Sequence, residues 1–244
     1  MTEHFDVIAF GAHPDDVEAA CGGLLVQLVR RGYRVAICDL TRGEMASNGT
    51  PEEREKEAEA AARILGVQAR FALGLPDGNL RAEDPAQRER LVLALRRHAP
   101  RLILVPDAAA RHPDHIAANA LLRQAQFWCG VSGLLREVPV VQRPVLVRTL
   151  DFHPLQPSFV VDVTDVLELK MQALRCYRSQ FEPGPGRTAT FLNDPAYLRR
   201  IETNARTYGQ LIGCAAGEPY AIDGPLPLAD PVAALLDSNT GARP

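Results

Sequence analysis

Several common functional classes leave no trace in this 244-residue chain. Its 27 Lys and Arg do not outnumber its 30 Asp and Glu, so the formal net charge is −3 and the pI near 6.1. Such a balance offers no electrostatic footprint for nucleic acid. No apolar run approaches the roughly 18 residues that a membrane-spanning helix needs. The start, Met1-Thr2-Glu3-His4, is polar and leads directly into an apolar strand pattern, without the profile of a secretory signal. The five cysteines are scattered, none in a C-x-x-C pair, so they read as reduced, buried thiols of a cytoplasmic protein. No internal repeat, low-complexity block or linker divides the chain, and one domain over residues 1–244 is expected. G-x-G-x-x-G is also missing. The Gly22-Gly23 pair alone does not make a dinucleotide-binding turn.

What is present is regular alternation. Phe5–Phe10 reads as a buried strand and Val17–Arg31 as a helix with Leu24, Leu25 and Leu28 on its apolar side, stopped by Gly32. Arg34–Leu40 is the next strand. Pro51–Leu65 is a charged, alanine-rich helix with Pro51 in its first turn and Gly66 just past its end. Ala69–Leu73, Pro85–His98, Arg101–Val105 and Pro113 to about Trp128 continue the series as strand, helix, strand and helix. Strands separated by helices of this length predict βαβ units and an α/β, Rossmann-like fold, a mainly parallel sheet with helices on both faces. The second half is less regular. Val145–Leu150 and Ser158–Val161 are expected as strands, and Asp165–Tyr177 and Pro195–Gly209 as helices. A Gly/Pro-rich loop, Phe181 to Thr190, joins the two helices, and the tail from Gly224 is expected to run extended.

Two clusters of chemistry sit where strands hand over to helices. The first is His13-Pro14-Asp15-Asp16 and the second His112-Pro113-Asp114-His115. Open α/β sheets bind ligands at the carboxyl ends of their strands, so the clusters are expected to meet and hold one divalent metal. A hydrolytic metal site needs about three protein ligands and an open position. His13 and Asp16, three residues apart, supply two, and His115 the third. Asp15 is then a carboxylate without ligand duty, suited to be a general base. His112, three residues before His115, can stabilise an oxyanion or protonate a leaving amine, with Asp114 orienting its ring. Plainer readings exist for each. Asp15 or Asp16 can cap a helix with Glu18 completing the pair, and His112 can cap the helix that Pro113 begins. The pairing of two such clusters at equivalent strand ends favours the metal site.

These motifs resemble the LmbE-like, or PIG-L, family of zinc-dependent N-acetylglucosamine deacetylases. Cys38-Asp39-Leu40-Thr41, Ser47-Asn48-Gly49-Thr50, Leu75-Pro76-Asp77, Tyr177-Arg178-Ser179-Gln180-Phe181 and Gly217-Glu218-Pro219-Tyr220 are similar to its bacillithiol-biosynthesis branch, over nearly the whole chain. The resemblance implies zinc on His13, Asp16 and His115, with ferrous iron or another divalent metal also compatible. It implies Asp15 as base and His112, backed by Asp114, as electrophilic or acid partner. Three further positions follow from it. Arg54 matches a substrate-site arginine able to grip a carboxylate, although the pattern of Glu52–Glu59 alone reads as a solvated charged run; Asn48 lies in the same substrate region. Tyr197 matches a mobile tyrosine at the oxyanion, although by position it is a helix-face aromatic. The implied substrate is a small molecule, N-acetylglucosaminyl malate, and the implied assembly a homo-oligomer, a hexamer by the resemblance, with no nucleic-acid or membrane partner. Deacetylation of N-acetylglucosamine or chitobiose-type sugars is the alternative. A nucleotide-binding module and a non-catalytic metal binder are more distant ones.

Overall fold

The computed structural model describes residues 3–150 and 156–225. Its order is β1 (Val7–Gly11), α1 (Asp16–Arg30), β2 (Val35–Asp39), α2 (Pro51–Leu65), β3 (Ala69–Ala72), α3 (Pro85–His98), β4 (Leu102–Val105), α4 (Pro113–Trp128) and β5 (Val145–Thr149). Then come β6 (Phe159–Asp162), α5 (Leu167–Arg175), the short α6 (Arg178–Phe181), α7 (Tyr197–Leu211) and β7 (Gly217–Ala221). The expected tail lies, from residue 226 on, outside the described residues.

The α/β expectation holds. Seven strands form one sheet in the order β3-β2-β1-β4-β5-β7-β6, with β3, β2, β1, β4 and β5 all parallel. The central strands β1 and β4 are covered on both faces and read as continuous apolar runs rather than alternating ones. Within β1, Val7 and Ala9 join the core beneath α1, α2, α5 and α7, while Ile8 and Phe10 join the core beneath α3 and α4. The helices carry the local signals that start and stop them. Thr50 and Asp84 cap α2 and α3 with their side chains, each followed by proline in the first turn, and Gly66 closes α2 at φ 75°.

Two departures come from long-range pairing. β7 has no counterpart among the expected strands, because Pro219 interrupts its pattern. It inserts antiparallel between β5 and β6, with Thr149 opposite Tyr220 and Val160 opposite Pro219. The helix expected over Asp165–Tyr177 is divided. A 3-10 turn (Thr164–Val166) leads into α5, and α6 follows separately.

α1 is also not continuous. Cys21 has φ −144° and ψ 16°, which breaks the helical bonding at that point. The freed N–H groups of Gly23 and Leu24 donate to the two carboxylate oxygens of Glu218 in β7, each at 2.8 Å. That buried carboxylate also receives Lys170 Nζ and the Tyr220 hydroxyl, both at 2.7 Å. Gly23 has to be glycine here, since a Cβ would lie 2.8 Å from Val163 and 2.9 Å from Glu218 Oε1. The first turn of α1 is thereby set apart from the rest of the helix.

Candidate active site

The chain leaves β1 toward β2 on one side and β4 toward β5 on the other, so the strand order reverses between β1 and β4. Neighbouring connections diverge there and open a crevice at the carboxyl ends. Both clusters emerge into it, His13 to Asp16 after β1 and His112 to His115 at the start of α4. Gly11 keeps the first turn tight, since a Cβ at that position would stand 3.0 Å from the His13 carbonyl and 3.2 Å from Asp16 Cβ.

The expected ligand residues are brought together. Asp16 lies between two imidazoles, its Oδ1 3.1 Å from His115 Nε2 and its Oδ2 3.4 Å from His13 Nδ1. One ring nitrogen each from His13, His112 and His115 come within 4.8 Å of one another, a spacing able to hold a metal ion. Two further carboxylates reach His13 Nε2, Asp77 at 3.0 Å and Asp114 at 3.3 Å, and these three residues form a second metal-capable group. In sequence Asp77 stands out only as the end of Leu75-Pro76-Asp77. Its position just past β3, one more carboxylate at a parallel strand end, is the signal that marks it.

The electrostatics follow from this crowding. Burial alone would lower the His13 pKa, but hydrogen bonds to Asp114, Asp16 and Asp77 push it up to about 12. Burial works against ionisation of Asp16 as well, yet the adjacent His115 and His13 hold it well below the usual carboxylate range. Asp77, despite burial, is brought down to about 2 by His13 and the Met45 N–H. Four carboxylates, Asp15, Asp16, Asp77 and Asp114, thus face the cluster, and Arg54 is bonded to the first of them. A set of imidazoles and carboxylates with excess negative charge fits a divalent cation.

Asp15 is 7 % exposed and has φ 105°, a conformation costly for a residue with a side chain. It stands at the N-cap position of α1 without making a side-chain cap bond, so the capping reading does not describe it. Burial, partly offset by the charge of Arg54, raises its pKa to about 7. Arg54 itself is 3 % exposed and not a solvated residue. Its guanidinium donates to Asp15 Oδ2 at 3.1 Å, to the Pro14 carbonyl, and to the Gly43 carbonyl at 3.2 Å. In sequence it stands among exposed glutamates, which hide its inward position.

His112 unites both readings made of it. Its Nδ1 accepts the Asp114 N–H at 3.2 Å and so caps α4, while its ring lies 4.8 Å from His13 and 5.3 Å from His115. Burial and the neighbouring positive charge of His13 and His115 lower its pKa. With Nδ1 accepting, the proton of the neutral ring belongs on Nε2. The expected partnership with Asp114 takes another form: its backbone amide orients His112, whereas its carboxylate holds His13 and accepts from Gly78 N at 2.7 Å and Leu80 N at 3.4 Å.

Glu18 is a further residue whose role sequence reasoning missed. Rather than capping α1, it is fully buried, and its Oε1 accepts from Arg70 and from the Tyr177 hydroxyl. Arg70 in turn grips Asp39, at the end of β2, through two bonds of 2.7 and 2.9 Å. This network pins the first turn of α1, with Asp15 and Asp16 on it, to two neighbouring strands.

The remaining expected residues lie on the loop side. Asn48 Oδ1 accepts from Thr188 N at 2.8 Å and its Nδ2 donates to Thr188 O at 2.9 Å, so it latches the Gly/Pro-rich loop. Tyr197 is buried at the start of α7, its ring stacked on Phe181 at 5.5 Å and edge-on to Phe191 at 5.1 Å. Phe191 is exposed and carries Arg111 on its ring at 4.5 Å and Arg200 at 5.0 Å. Since Arg111 precedes His112, this basic, aromatic rim borders the cluster. Among the described residues all five cysteines are free thiols, and no helix is long and apolar enough to cross a membrane.

Comparison with known proteins agrees with this geometry. The profile of the PIG-L family, described as GlcNAc-PI de-N-acetylase, matches residues 8–126. The diacetylchitobiose deacetylase of Thermococcus kodakarensis is 30 % identical over 226 residues, covering 85 % of this chain and 79 % of the relative. The "Probable N-acetyl-alpha-D-glucosaminyl L-malate deacetylase 2" of Bacillus cereus is 27 % identical over 189 residues, covering 72 % of this chain and 84 % of the relative. The crystal structure of a conserved protein from Thermus thermophilus superimposes with a TM-score of 0.84 at 38 % identity, over 93 % of this chain and 98 % of that one. The relatives do not single out the bacillithiol branch, but on their coverage, and on a His/Asp cluster able to hold a metal ion, the chain belongs to the PIG-L family and is a metal-dependent N-deacetylase.

Proposed function

We propose that this enzyme removes the acetyl group from an N-acetylglucosamine conjugate bearing an acidic aglycone, N-acetylglucosaminyl malate being the best fit. The observation that carries the reading is the meeting of His13, Asp16 and His115 beside a buried carboxylate, Asp15. His13, Asp16 and His115 would hold zinc. The chemistry a bound zinc ion supplies is Lewis acidity toward the amide carbonyl and toward water.

The protein's own groups then divide the work. Arg54 occupies Asp15 Oδ2, which assigns the incoming proton of the attacking water to Oδ1. A pKa near neutrality lets the same carboxyl group accept that proton and pass it to the leaving nitrogen. His112, kept neutral and with its proton on Nε2, donates a hydrogen bond to the developing oxyanion. Asp77 and Asp114 fix the His13 ring from its far nitrogen. The Asn48 latch holds the loop that leads to Phe191, and Arg111 and Arg200 offer guanidinium groups to an anionic aglycone.

A second reading, diacetylchitobiose as substrate, is favoured by the relative at 30 % identity. Acetate release should be measured on both compounds, with chelator and after adding zinc. Faster turnover of the malyl conjugate, abolished by chelation and restored by zinc, is the expected result. Faster turnover of diacetylchitobiose favours the second reading, and no acetate from either refutes the proposal.

A further inference from the structure

Behind the cluster, two small cavities lie along α1. The first, of about 10 Å3, is lined by Asp16 and His115 and, among others, by Phe10, Val17, Ala20 and Cys21. The second, of about 20 Å3, lies toward Lys170, Ile201 and Glu218. Ala20 belongs to the wall of both.

Ala20 is four residues after Asp16 and precedes the break at Cys21, so it sits one turn behind that carboxylate on the same helix face. A space of about 10 Å3 is just large enough for one water, which needs two to four polar partners. Few are on offer. Asp16 and His115 bond each other at 3.1 Å, and Thr149, the other polar group on the lining, donates its hydroxyl to the Val105 carbonyl at 3.2 Å. The other lining residues, Phe10, Val17, Ala20, Cys21 and Pro106, are apolar. Such a space suits a methyl group.

We propose that this cavity receives the acyl methyl of the substrate and that Ala20 sets the limit on acyl length. The inference rests on the deacetylase reading and adds the specificity of its acyl side. In the reaction the amide C–N bond breaks, a C–O bond to water forms, and the proton of water ends on nitrogen. The carbonyl sits at the Asp16–His115 end with its methyl directed inward and the sugar outward. A propionyl group would need the volume that the Ala20 methyl fills. Without that methyl, the cavity gains room on the side that Ala20 shares with the second one.

The test uses the zinc-loaded full chain and N-formyl, N-acetyl and N-propionyl forms of one glucosamine conjugate, with release of free amine as the readout. One methylene in a tight apolar pocket discriminates by about 10–200-fold, and the native enzyme should prefer acetyl over propionyl in that range. Ala20→Gly should bring the two rates together, a relative gain of at least about 10-fold for propionyl. Ala20→Val should depress acetyl cleavage while sparing formyl. A direct binding measurement on the native protein supports these variants: acetate should compete with substrate and propionate should not. Comparable native rates on acetyl and propionyl, or an acetyl-to-propionyl ratio unmoved by both variants, would overturn the pocket assignment while leaving the deacetylase reading intact. Release of no amine from any of the three by the native enzyme sinks the underlying reading, and the pocket with it.

Discussion

Arg54 provides the sharpest test, because two incompatible roles can be set against each other. The family resemblance points it at a substrate carboxylate, whereas its bonds to Asp15, Pro14 and Gly43 make it an internal support of the base. Arg54→Met keeps the bulk and deletes the charge. Both partners are almost fully buried, with side-chain exposures of 4 % and 10 %, and removing one member of such a pair costs about 3–5 kcal/mol. For a domain of this size that corresponds to a fall in Tm of roughly 6–20 °C. The charge of Arg54 lowers the Asp15 pKa, which stands at about 7 with it in place. Without it the pKa rises further, and since the carboxylate is the active form, the acid limb of kcat/KM moves to higher pH. kcat should fall alike on the malyl conjugate and on diacetylchitobiose, with KM little changed. Arg54→Lys, which keeps the charge, should shift the acid limb less. If Arg54→Met instead raised KM for the malyl conjugate alone, with kcat and the pH profile intact, the internal-support argument would be wrong.

Other expectations can be checked independently. Asp15→Asn should retain zinc, measured by metal analysis, and lose about 10²–10⁴-fold in kcat; a near-native rate in the zinc-loaded variant removes Asp15 from the role of base. His112→Ala should reduce kcat by about 10²–10³-fold through loss of the oxyanion donor, with zinc affinity little changed. The folded-state pKa of His13 is raised from 6.5 to about 12 in the metal-free protein. Its contribution to stability is therefore full below pH 6.5 and is lost as pH rises toward 12. Metal has to displace that proton, so calorimetry in buffers of different ionisation heat should show proton release on zinc binding near neutral pH, and zinc affinity should weaken as pH falls. Finally, Glu218→Ala strips two N–H groups of α1 and Lys170 of their partner and should cost about 3–5 kcal/mol in urea unfolding. Lys170→Met in the same chain should recover part of that loss.

Much of the fold was legible because its signals are local. Pro51 and Gly66 mark the two ends of α2, and Pro85 opens α3, through residues within a turn of the ends they set. The two clusters were legible for the same reason. A histidine and carboxylates at the end of an apolar strand remain together whatever the rest of the chain does. β7 was not legible, because Pro219 spoils the strand pattern and the segment is a strand only through pairing with β5 and β6. Nor was the break in α1, which depends on a carboxylate 195 residues from Gly23.

The order of residues by itself thus determined the alternating elements, the location of His13 to Asp16 and His112 to His115 at strand ends, and the donor chemistry available to a cation. Tertiary structure decided which groups those residues face. It turned Arg54 inward onto Asp15, sent the Asp114 carboxylate to His13 instead of His112, added Asp77, and buried Glu18 against Arg70 and Tyr177. The physical reason is that a buried charge takes whichever partner the packing brings within hydrogen-bonding reach. Which partner that is depends on strand order and crossover, which no local window contains.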